Sequence, residues 1–157
     1  MNAGDDLRAY LALNRESESM LSPLDEQSLS ALIETAYCAW LTPEHDAMLI
    51  ALNERSNYDS PNFQWFSDRY DRFVYVDRVV VGESARGRGL ARMLYERLFE
   101  QAQSDGYPVV CAEIYYDPPN PVSDAFHESM GFEEIGRAYL ADRDKSVRYL
   151  VRSLQKS

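Results

Sequence analysis

Cysteine and histidine are scarce in this sequence, with two of each among 157 residues. Cys38 and Cys111 lie far from each other in the chain and from any group of histidines. A zinc site needs several such ligands at short spacing, so the sequence predicts no metal site. The two cysteines are expected to be small buried side chains in a reducing compartment, which predicts a cytoplasmic protein.

Long hydrophobic runs and an excess of positive charge are also missing. No apolar run approaches the roughly 20 residues that cross a bilayer, and Met1 to Arg8 have no apolar segment typical of a secretory signal. We therefore expect no membrane partner. The formal net charge of −10 argues against nucleic acid as a partner, because phosphate backbones attract basic surfaces. Such acidity ordinarily serves solubility, and it also favours steering of a cationic or amine substrate.

The length and the order of apolar patterns predict a single α/β domain over residues 1–157. Two helical patterns come first, one after Asp6 and one that opens with Ser22 as a cap and Pro23 in its first turn. Residues 53–70 are rich in turn formers and aromatics, which predicts a long loop or a short helix. Further helices are expected over Leu90 to Ser104 and Val122 to Met130, and strands over Tyr37 to Leu41, Ala47 to Leu52, Phe73 to Val81, Val109 to Tyr115, Phe132 to Leu140 and Ser146 to Leu154.

A glycine-rich turn between a strand and a helix is the strongest functional signal. Gly87 and Gly89 allow positive φ and let a ligand approach the backbone closely. The first N–H groups of the following helix have no partner within it, and the helix dipole favours an anion there. Arg86 and Arg88 add positive charge in an acidic chain, and Ala91 is too small to block a phosphate. The turn therefore predicts a site for a phosphate-bearing ligand.

Two other phosphate motifs fail at this turn. A dinucleotide fingerprint needs Gly or Ala where Arg92 stands. A P-loop needs a Gly-Lys-Ser or Gly-Lys-Thr ending, which the sequence lacks here. An ordinary strand-to-helix connection remains the simplest alternative, although two glycines and two arginines in four residues argue against it.

Arg86, Gly89 and Ala91 match R-x-x-G-x-A, and with this signature the chain resembles the GNAT acetyltransferase superfamily. The resemblance implies a GNAT-type fold, acetyl-CoA as acyl donor, and backbone N–H groups that hold its pyrophosphate. It also implies that the preceding strand pairs with the pantetheine arm. The residues expected to bind the donor in this way are Val79, Val80, Val81, Arg86, Gly87, Arg88, Gly89, Leu90 and Ala91.

A second part of the resemblance follows the next strand. The family often has an Asn, then an aromatic-Tyr pair seven residues on, then Gly-Phe; the spacing of Asn120, Phe126, His127 and Gly131 fits. Asn120 is then expected beside the CoA arm, with a turn or a helix cap as its alternative. The family's Tyr often protonates the leaving thiolate, so His127 is a candidate proton donor. Tyr115 and the neighbouring Tyr116 are rival donors.

A carboxylate is needed to take the proton of the attacking amine. Family members often carry a Glu on the strand before the signature, and Asp77 stands near that place in this sequence. The alternative for Asp77 is an ion pair with Arg78 or another Arg, because a lone acid inside an apolar strand is unusual. Glu113 on the next strand is a second candidate base.

The aromatic segment is the expected acceptor site, because the family binds its acceptor opposite the CoA. Aromatics with an acid suit an apolar amine, and the residues implicated are Tyr58, Asp59, Trp65, Phe66 and Tyr70. The alternative is that at least two of Phe63, Trp65 and Phe66 cap the core.

The sequence thus predicts an N-acetyltransferase in which a small-molecule or peptide amine attacks the thioester directly. Neither a Ser-His-Asp order nor a reactive Cys supports a covalent intermediate. A CoA-binding module without turnover is the alternative, and a homodimer is possible. The family begins with a strand, whereas only Met1 to Gly4 precede the first helical pattern, so this strand is expected to be short or missing.

Overall fold

The computed structural model describes residues 3–16, 25–117, 121–141 and 144–154. They form a mixed sheet of six strands in the order β1-β2-β3-β4-β6-β5, with five α-helices. The strands are β1 (Cys38–Leu41), β2 (Ala47–Asn53), β3 (Val74–Val81), β4 (Val109–Asp117), β5 (Glu133–Leu140) and β6 (Lys145–Ser153). The helices are α1 (Ala3–Glu16), α2 (Glu26–Thr35), α3 (Pro61–Ser67), α4 (Leu90–Ser104) and α5 (Pro121–Ser129). The predicted α/β architecture is confirmed.

Helices cover both faces of the sheet. Alternation along β3 sends Tyr75 to the face under α1, α2 and α3, and Val74 to the face under α4 and α5. Each face therefore has its own apolar cluster, with Phe66 at the centre of the first and Leu98 in the second. We call the face under α1, α2 and α3 the front face.

The strand pairing brings two strand ends together. β3 and β4 run parallel and are joined through α4, whereas β4–β6 and β5–β6 are antiparallel. Both β3 and β4 end at the same edge of the sheet, and each is followed by a helix, α4 or α5. This edge is where parallel α/β units commonly place a ligand.

The start of α2 differs from the sequence prediction. The helix begins at Glu26, and the carboxylate of Asp25 caps it by accepting a hydrogen bond from Ser28 N at 2.7 Å. Ser22 and Pro23, the predicted cap and first turn, lie outside the described residues. The prediction for α4, by contrast, matches both ends of that helix.

The N-terminal part of the chain starts with α1 at Ala3, and within the described ranges no strand precedes it. The segment predicted as a loop or short helix contains α3, which begins at Pro61, a favourable residue for a first helical turn. None of the helices in the described part of the chain has the length and apolarity to span a bilayer.

Candidate active site

The glycine-rich turn connects β3 to α4. A short 3-10 turn over Glu83–Ala85 follows β3, and Gly89 is the residue before the first turn of α4. Gly87 and Gly89 have φ of 83° and 75°, the left-handed region that other residues adopt at a cost. A Cβ placed on either glycine would meet no atom within 4 Å. The turn is therefore open on the side where the unpaired N–H groups of α4 begin, as an anion cradle requires.

The two arginines of the turn are placed differently. Arg86 is exposed and has no acidic partner among the described residues. Arg88 donates from Nη2 to Asp46 Oδ2 at 2.5 Å and from Nε to the carbonyl of Ala85 at 3.4 Å. Arg88 thus ties the turn to the β1–β2 hairpin, and Arg86 is the arginine left for a ligand.

Asp46 holds the hairpin against the turn in two further ways. Its carbonyl accepts a hydrogen bond from Gly82 N at 2.7 Å. The Thr42 hydroxyl donates to its carboxylate at 2.5 Å and, with the Arg88 charge, keeps the pKa of Asp46 below its usual value. The cradle is therefore braced by an ionised residue of the neighbouring hairpin.

The strands β3 and β4 separate after the first two residues of β3. They pair only at Val74 and Tyr75, and no pairing joins them from Val76 to Val81. Val79, Val80 and Val81 therefore present one unpaired backbone edge toward β4. Unpaired N–H and C=O groups of this kind can bind an extended, amide-containing ligand as an added strand would.

Asp77 lies at a bulge in β3. Ile50 of β2 pairs with Arg78 and the next residue pairs with Val76, so Asp77 has no opposite residue. Arg78 donates from Nε to Asp77 Oδ2 at 2.6 Å and from Nη1 to Asn14 Oδ1 at 2.6 Å. The side chains of Arg78 and Asp77 are only 2% and 4% exposed. The geometry thus matches the alternative in which Asp77 forms an ion pair with Arg78. A role for Asp77 as a base stays a prediction.

Glu113 lies on β4, on the front face. Asn62 Nδ2 donates to Glu113 Oε1 at 3.2 Å, while Oε2 is buried without a hydrogen-bond partner among the described residues. Burial raises the pKa of Glu113 to about 7; Tyr75 and Asn62 oppose this rise and the charge of Asp77 adds to it. Glu113 is therefore a carboxyl group that takes up and releases a proton near neutral pH.

His127 is 7% exposed and is packed between α4 and α5. Its Nδ1 lies 2.8 Å from the carbonyl oxygen of Ser123, and its Nε2 lies 3.0 Å from the Tyr95 hydroxyl. Because a carbonyl only accepts, Nδ1 carries the proton of the neutral ring and Nε2 accepts from Tyr95. Burial lowers the pKa of His127. Both ring nitrogens are thus engaged within the core, and proton donation by His127 stays a prediction.

Tyr115 is two residues beyond Glu113 on β4 and lies half-buried on the same face. Its hydroxyl has no hydrogen-bond partner within the described part of the chain, and Lys145 Nζ lies 6.0 Å from its ring centroid. Tyr116 is instead stacked against Arg137, 4.6 Å from its ring centroid. Asn120 lies outside the described residues. Of the predicted proton donors, Tyr115 is thus the one with a free hydroxyl near Glu113.

The aromatic side chains of α3 pack mainly into the core. Phe63 and Phe66 are 3% and 0% exposed, so the alternative that two of the three aromatics cap the core is confirmed. Trp65 stacks on Tyr149 with ring centroids 4.2 Å apart, and the Arg69 guanidinium lies 3.5 Å from its centroid on an exposed side. Helix α3 therefore packs on the front face of the sheet and covers part of it.

Sequence reasoning did not identify Asn62 and Tyr149 as members of this site. The Tyr149 hydroxyl donates to Asn62 Oδ1 at 2.8 Å, and Asn62 in turn reaches Glu113. These partners are 87 and 51 residues apart in the chain. No local spacing could have brought them together, because only the sheet and α3 place them side by side.

Residues 60–132 match the acetyltransferase (GNAT) family, and this range includes β3, the turn, β4 and α5. No curated protein matches the chain at the sequence level. Several solved structures share its fold. The ribosomal-protein-S18-alanine N-acetyltransferase from Escherichia coli has a TM-score of 0.70 at 15% identity, with 100% of this chain and 92% of that chain covered.

Two further structures are similar over nearly the whole chain. An N-acetyltransferase from Staphylococcus aureus Mu50 has a TM-score of 0.69 at 20% identity and covers 98% of this chain and 96% of its own. NAA60 from Arabidopsis thaliana, solved with acetyl-CoA, has a TM-score of 0.71 at 13% identity and covers 95% of this chain and 93% of its own. These likenesses establish the fold, and residues 60–132 are the part of the chain that is similar to the acetyltransferase (GNAT) family.

Proposed function

We propose that this protein transfers the acetyl group of acetyl-CoA to an amine by direct attack of the amine on the thioester. The observation that carries the proposal is the open turn at Gly87 and Gly89, which stands directly at the end of the separated strands β3 and β4. A pyrophosphate at the turn and an extended arm between the strands need this arrangement. The acetyl-CoA bound in NAA60 supports the choice of donor.

The residues present fit the pyrophosphate, the pantetheine arm and the thioester of acetyl-CoA. The N–H groups from Arg86 to Ala91 would hold the pyrophosphate, with the Arg86 charge beside them. The unpaired edge from Val79 to Val81 would hold the pantetheine amides, and a backbone N–H there would polarise the thioester carbonyl. Bound in this way, acetyl-CoA supplies an activated acyl group with a thiolate as its leaving group.

Glu113 is the proposed general base. Its Oε2 is a buried oxygen without a partner among the described residues, whereas the carboxylate of Asp77 is already paired with Arg78. The neutral amine forms the new N–C bond and gives one proton to Glu113. The C–S bond breaks, and the Tyr115 hydroxyl gives one proton to the thiolate. Exchange with water then returns Glu113 and Tyr115 to their starting states.

The front face favours an uncharged reactive amine that arrives beside aromatic groups. Tyr58, Tyr75 and Tyr149 surround the two carboxyl groups, and burial is the largest cause of the raised pKa of each hydroxyl. A peptide amine is consistent with the ribosomal-protein-alanine acetyltransferase and the peptide-bound NatC complex that share this fold. A small amine fits the same chemistry.

Steady-state release of CoA thiol over a panel of small and peptide amines tests the proposed function, with acetyl-CoA binding measured calorimetrically in parallel. We expect binding and amine-dependent thiol release, with the acetylated amine identified by mass spectrometry. Tight binding with no release on any amine would instead support a CoA-binding module. Absence of binding would contradict the cradle itself.

A matched pair of substitutions distinguishes the two proton donors. We expect Tyr115→Phe to lower kcat by roughly 10²-fold, as for loss of a general acid, while the Kd for CoA stays within about twofold. His127→Phe is expected to leave kcat within about threefold and to lower stability, because it leaves the buried Tyr95 hydroxyl without its acceptor. The reverse pattern, with kcat lost in His127→Phe and kept in Tyr115→Phe, would make His127 the donor.

A further inference from the structure

Asn62 is a buried polar residue in the first turn of α3, with 4% of its surface exposed. An amide in an apolar layer needs partners for its oxygen and its nitrogen. The Tyr149 hydroxyl donates to Oδ1 at 2.8 Å, and Nδ2 donates to Glu113 Oε1 at 3.2 Å. Because an ionised carboxylate only accepts, Nδ2 is the amide atom that faces Glu113, and the Tyr149 hydroxyl then donates to Oδ1.

The helix that carries Asn62 is held rigidly on the sheet. Trp65, three residues on, stacks on Tyr149 with centroids 4.2 Å apart. The same indole fills the space above Gly136 of β5, where a Cβ would lie only 2.5 Å from Trp65 Cζ2. Phe66 is fully buried against Tyr75 and Tyr149. The Asn62 amide is therefore presented to Glu113 by a locked element rather than by a mobile loop.

A hydrogen-bond donor at Oε1 has two consequences for Glu113. It stabilises the ionised carboxylate over the neutral acid, since an amide N–H cannot accept from a carboxylic acid proton. It also occupies one oxygen, which leaves Oε2 as the buried oxygen without a hydrogen-bond partner among the described residues. A base in a transferase needs both an ionised state and an oxygen free for the incoming proton.

We propose that Asn62 is a positioning residue for the transfer reaction: it holds Oε1 of Glu113, so that Oε2 alone receives the proton of the acceptor amine. The proposal rests on the proposed function, in which Glu113 is the base. It adds a residue outside the R-x-x-G-x-A turn and assigns α3 a part in the chemistry as well as in the core.

Several other titratable groups act on Glu113 or respond to its charge. Asp77 and Tyr75 belong to β3, and Asp77 is paired with Arg78. The remaining groups are Tyr58 before α3, Tyr149 of β6, Cys111 of β4 and Tyr95 of α4. The phenols and the thiol are neutral near pH 7, because burial raises the pKa of each. Substitutions at Asn62 leave all of these groups in place.

The test is a direct titration of Glu113 in the full-length protein, read from the ¹³Cδ resonance of labelled glutamate and assigned with Glu113→Gln. We expect Asn62→Leu to raise the Glu113 pKa by about one pH unit, because a donor to the carboxylate is lost. Asn62→Asp keeps the acceptor for Tyr149 and places a negative charge beside Glu113, so it is expected to raise that pKa further. Gln64→Leu is the control: this exposed amide of the same helix donates to the backbone carbonyl of Tyr58 at 3.3 Å and not to a carboxyl group, so the variant should leave the Glu113 pKa unchanged.

The acidic limb of the kcat/KM–pH profile is measured on the same proteins. The proposal is supported if, in both Asn62 variants, this acidic limb moves to higher pH together with the titration of Glu113. If Asn62→Leu does not fold, Asn62→Asp and Tyr149→Phe, which frees the amide to rotate, carry the test. An unchanged titration in these variants overturns the role of Asn62. If the Glu113 titration shifts but the acidic limb of the kcat/KM–pH profile does not move, Asn62 does contact Glu113. In that case Glu113 is not the base.

Discussion

Glu113→Gln is expected to lower kcat by roughly 10²- to 10⁴-fold, the range for loss of a general base. Gln has the size of Glu but cannot take up a proton from the amine. The Kd for CoA should stay within about twofold, because the cradle at Arg86 to Ala91 lies on another element. Single-turnover acetyl transfer with saturating acetyl-CoA is the measurement that isolates this step.

The same substitution is expected to stabilise the fold at alkaline pH. Burial holds the pKa of Glu113 at about 7 in the folded chain, against an ordinary value of 4.5. Between these two values the folded state keeps a proton that the unfolded state has lost, so the free energy of unfolding falls as pH rises through this window. This loss of folding stability is complete above pH 7. It amounts to about 3 kcal/mol, because each unit of difference in pKa corresponds to about 1.36 kcal/mol. Glu113→Gln avoids it.

Urea unfolding of wild type and Glu113→Gln at pH 5 and pH 8 measures this effect. We expect the variant to gain about 2 to 3 kcal/mol over wild type between the two pH values, by the linkage relation. Glu100→Gln, an exposed acid on α4, is the matched control and should show no gain. A variant that retains wild-type turnover would contradict the proposed base, and equal pH dependence of stability would contradict the buried, protonated carboxyl.

Gly89→Ala is expected to weaken CoA binding by about tenfold to a hundredfold. Its Cβ would meet nothing in the free protein, so it enters the open space of the cradle, where the proposed pyrophosphate approaches the backbone. Loss of one hydrogen bond to a charged group costs about 1.5 to 3 kcal/mol, which corresponds to this loss of affinity. Calorimetric titration with CoA provides the measurement.

Gly106→Ala is the control for backbone strain. Gly106 follows the C-cap residue of α4 and has φ of 83°, close to the 75° of Gly89, and a Cβ there would approach only Arg72 Nη1 at 3.7 Å. Both variants should lose about 1 kcal/mol of stability from the left-handed backbone. Only Gly89→Ala should lose affinity for CoA. Equal affinities in the two variants would place the pyrophosphate elsewhere.

Much of the fold follows from local patterns that the sequence carries in full. Leu90 to Ser104 was predicted as a helix and has those bounds, because its apolar spacing and its glycine boundaries are local signals. The strands were predicted within a few residues for the same reason. The start of α2 was missed, because Ser22 and Asp25 are both good caps and the choice between them depends on the packing of the helix.

The candidate site was predictable only where its members are neighbours in the chain. The turn at Gly87 and Gly89 has left-handed backbone, which glycine adopts readily, so the two glycines in the sequence were a local signal for it. The Asp77–Arg78 pair is one of the two interpretations that the sequence supports, because an acid inside an apolar strand needs a partner and an arginine is adjacent to it. His127 was chosen by its spacing in a family pattern, and spacing says nothing of where the ring nitrogens point.

The sequence by itself therefore determined the cradle: two glycines, a helix start and an arginine, each acting through its own backbone or charge. Only the tertiary structure decided which side chains gather around Glu113. In the folded chain the Arg88 side chain binds Asp46, which lies 42 residues earlier in the sequence. The tertiary structure also placed Asn62 and Tyr149 around Glu113 and buried that carboxyl enough to bring its pKa to about 7. Desolvation and long-range hydrogen bonds produce these effects, and neither exists until the sheet and α3 have packed together.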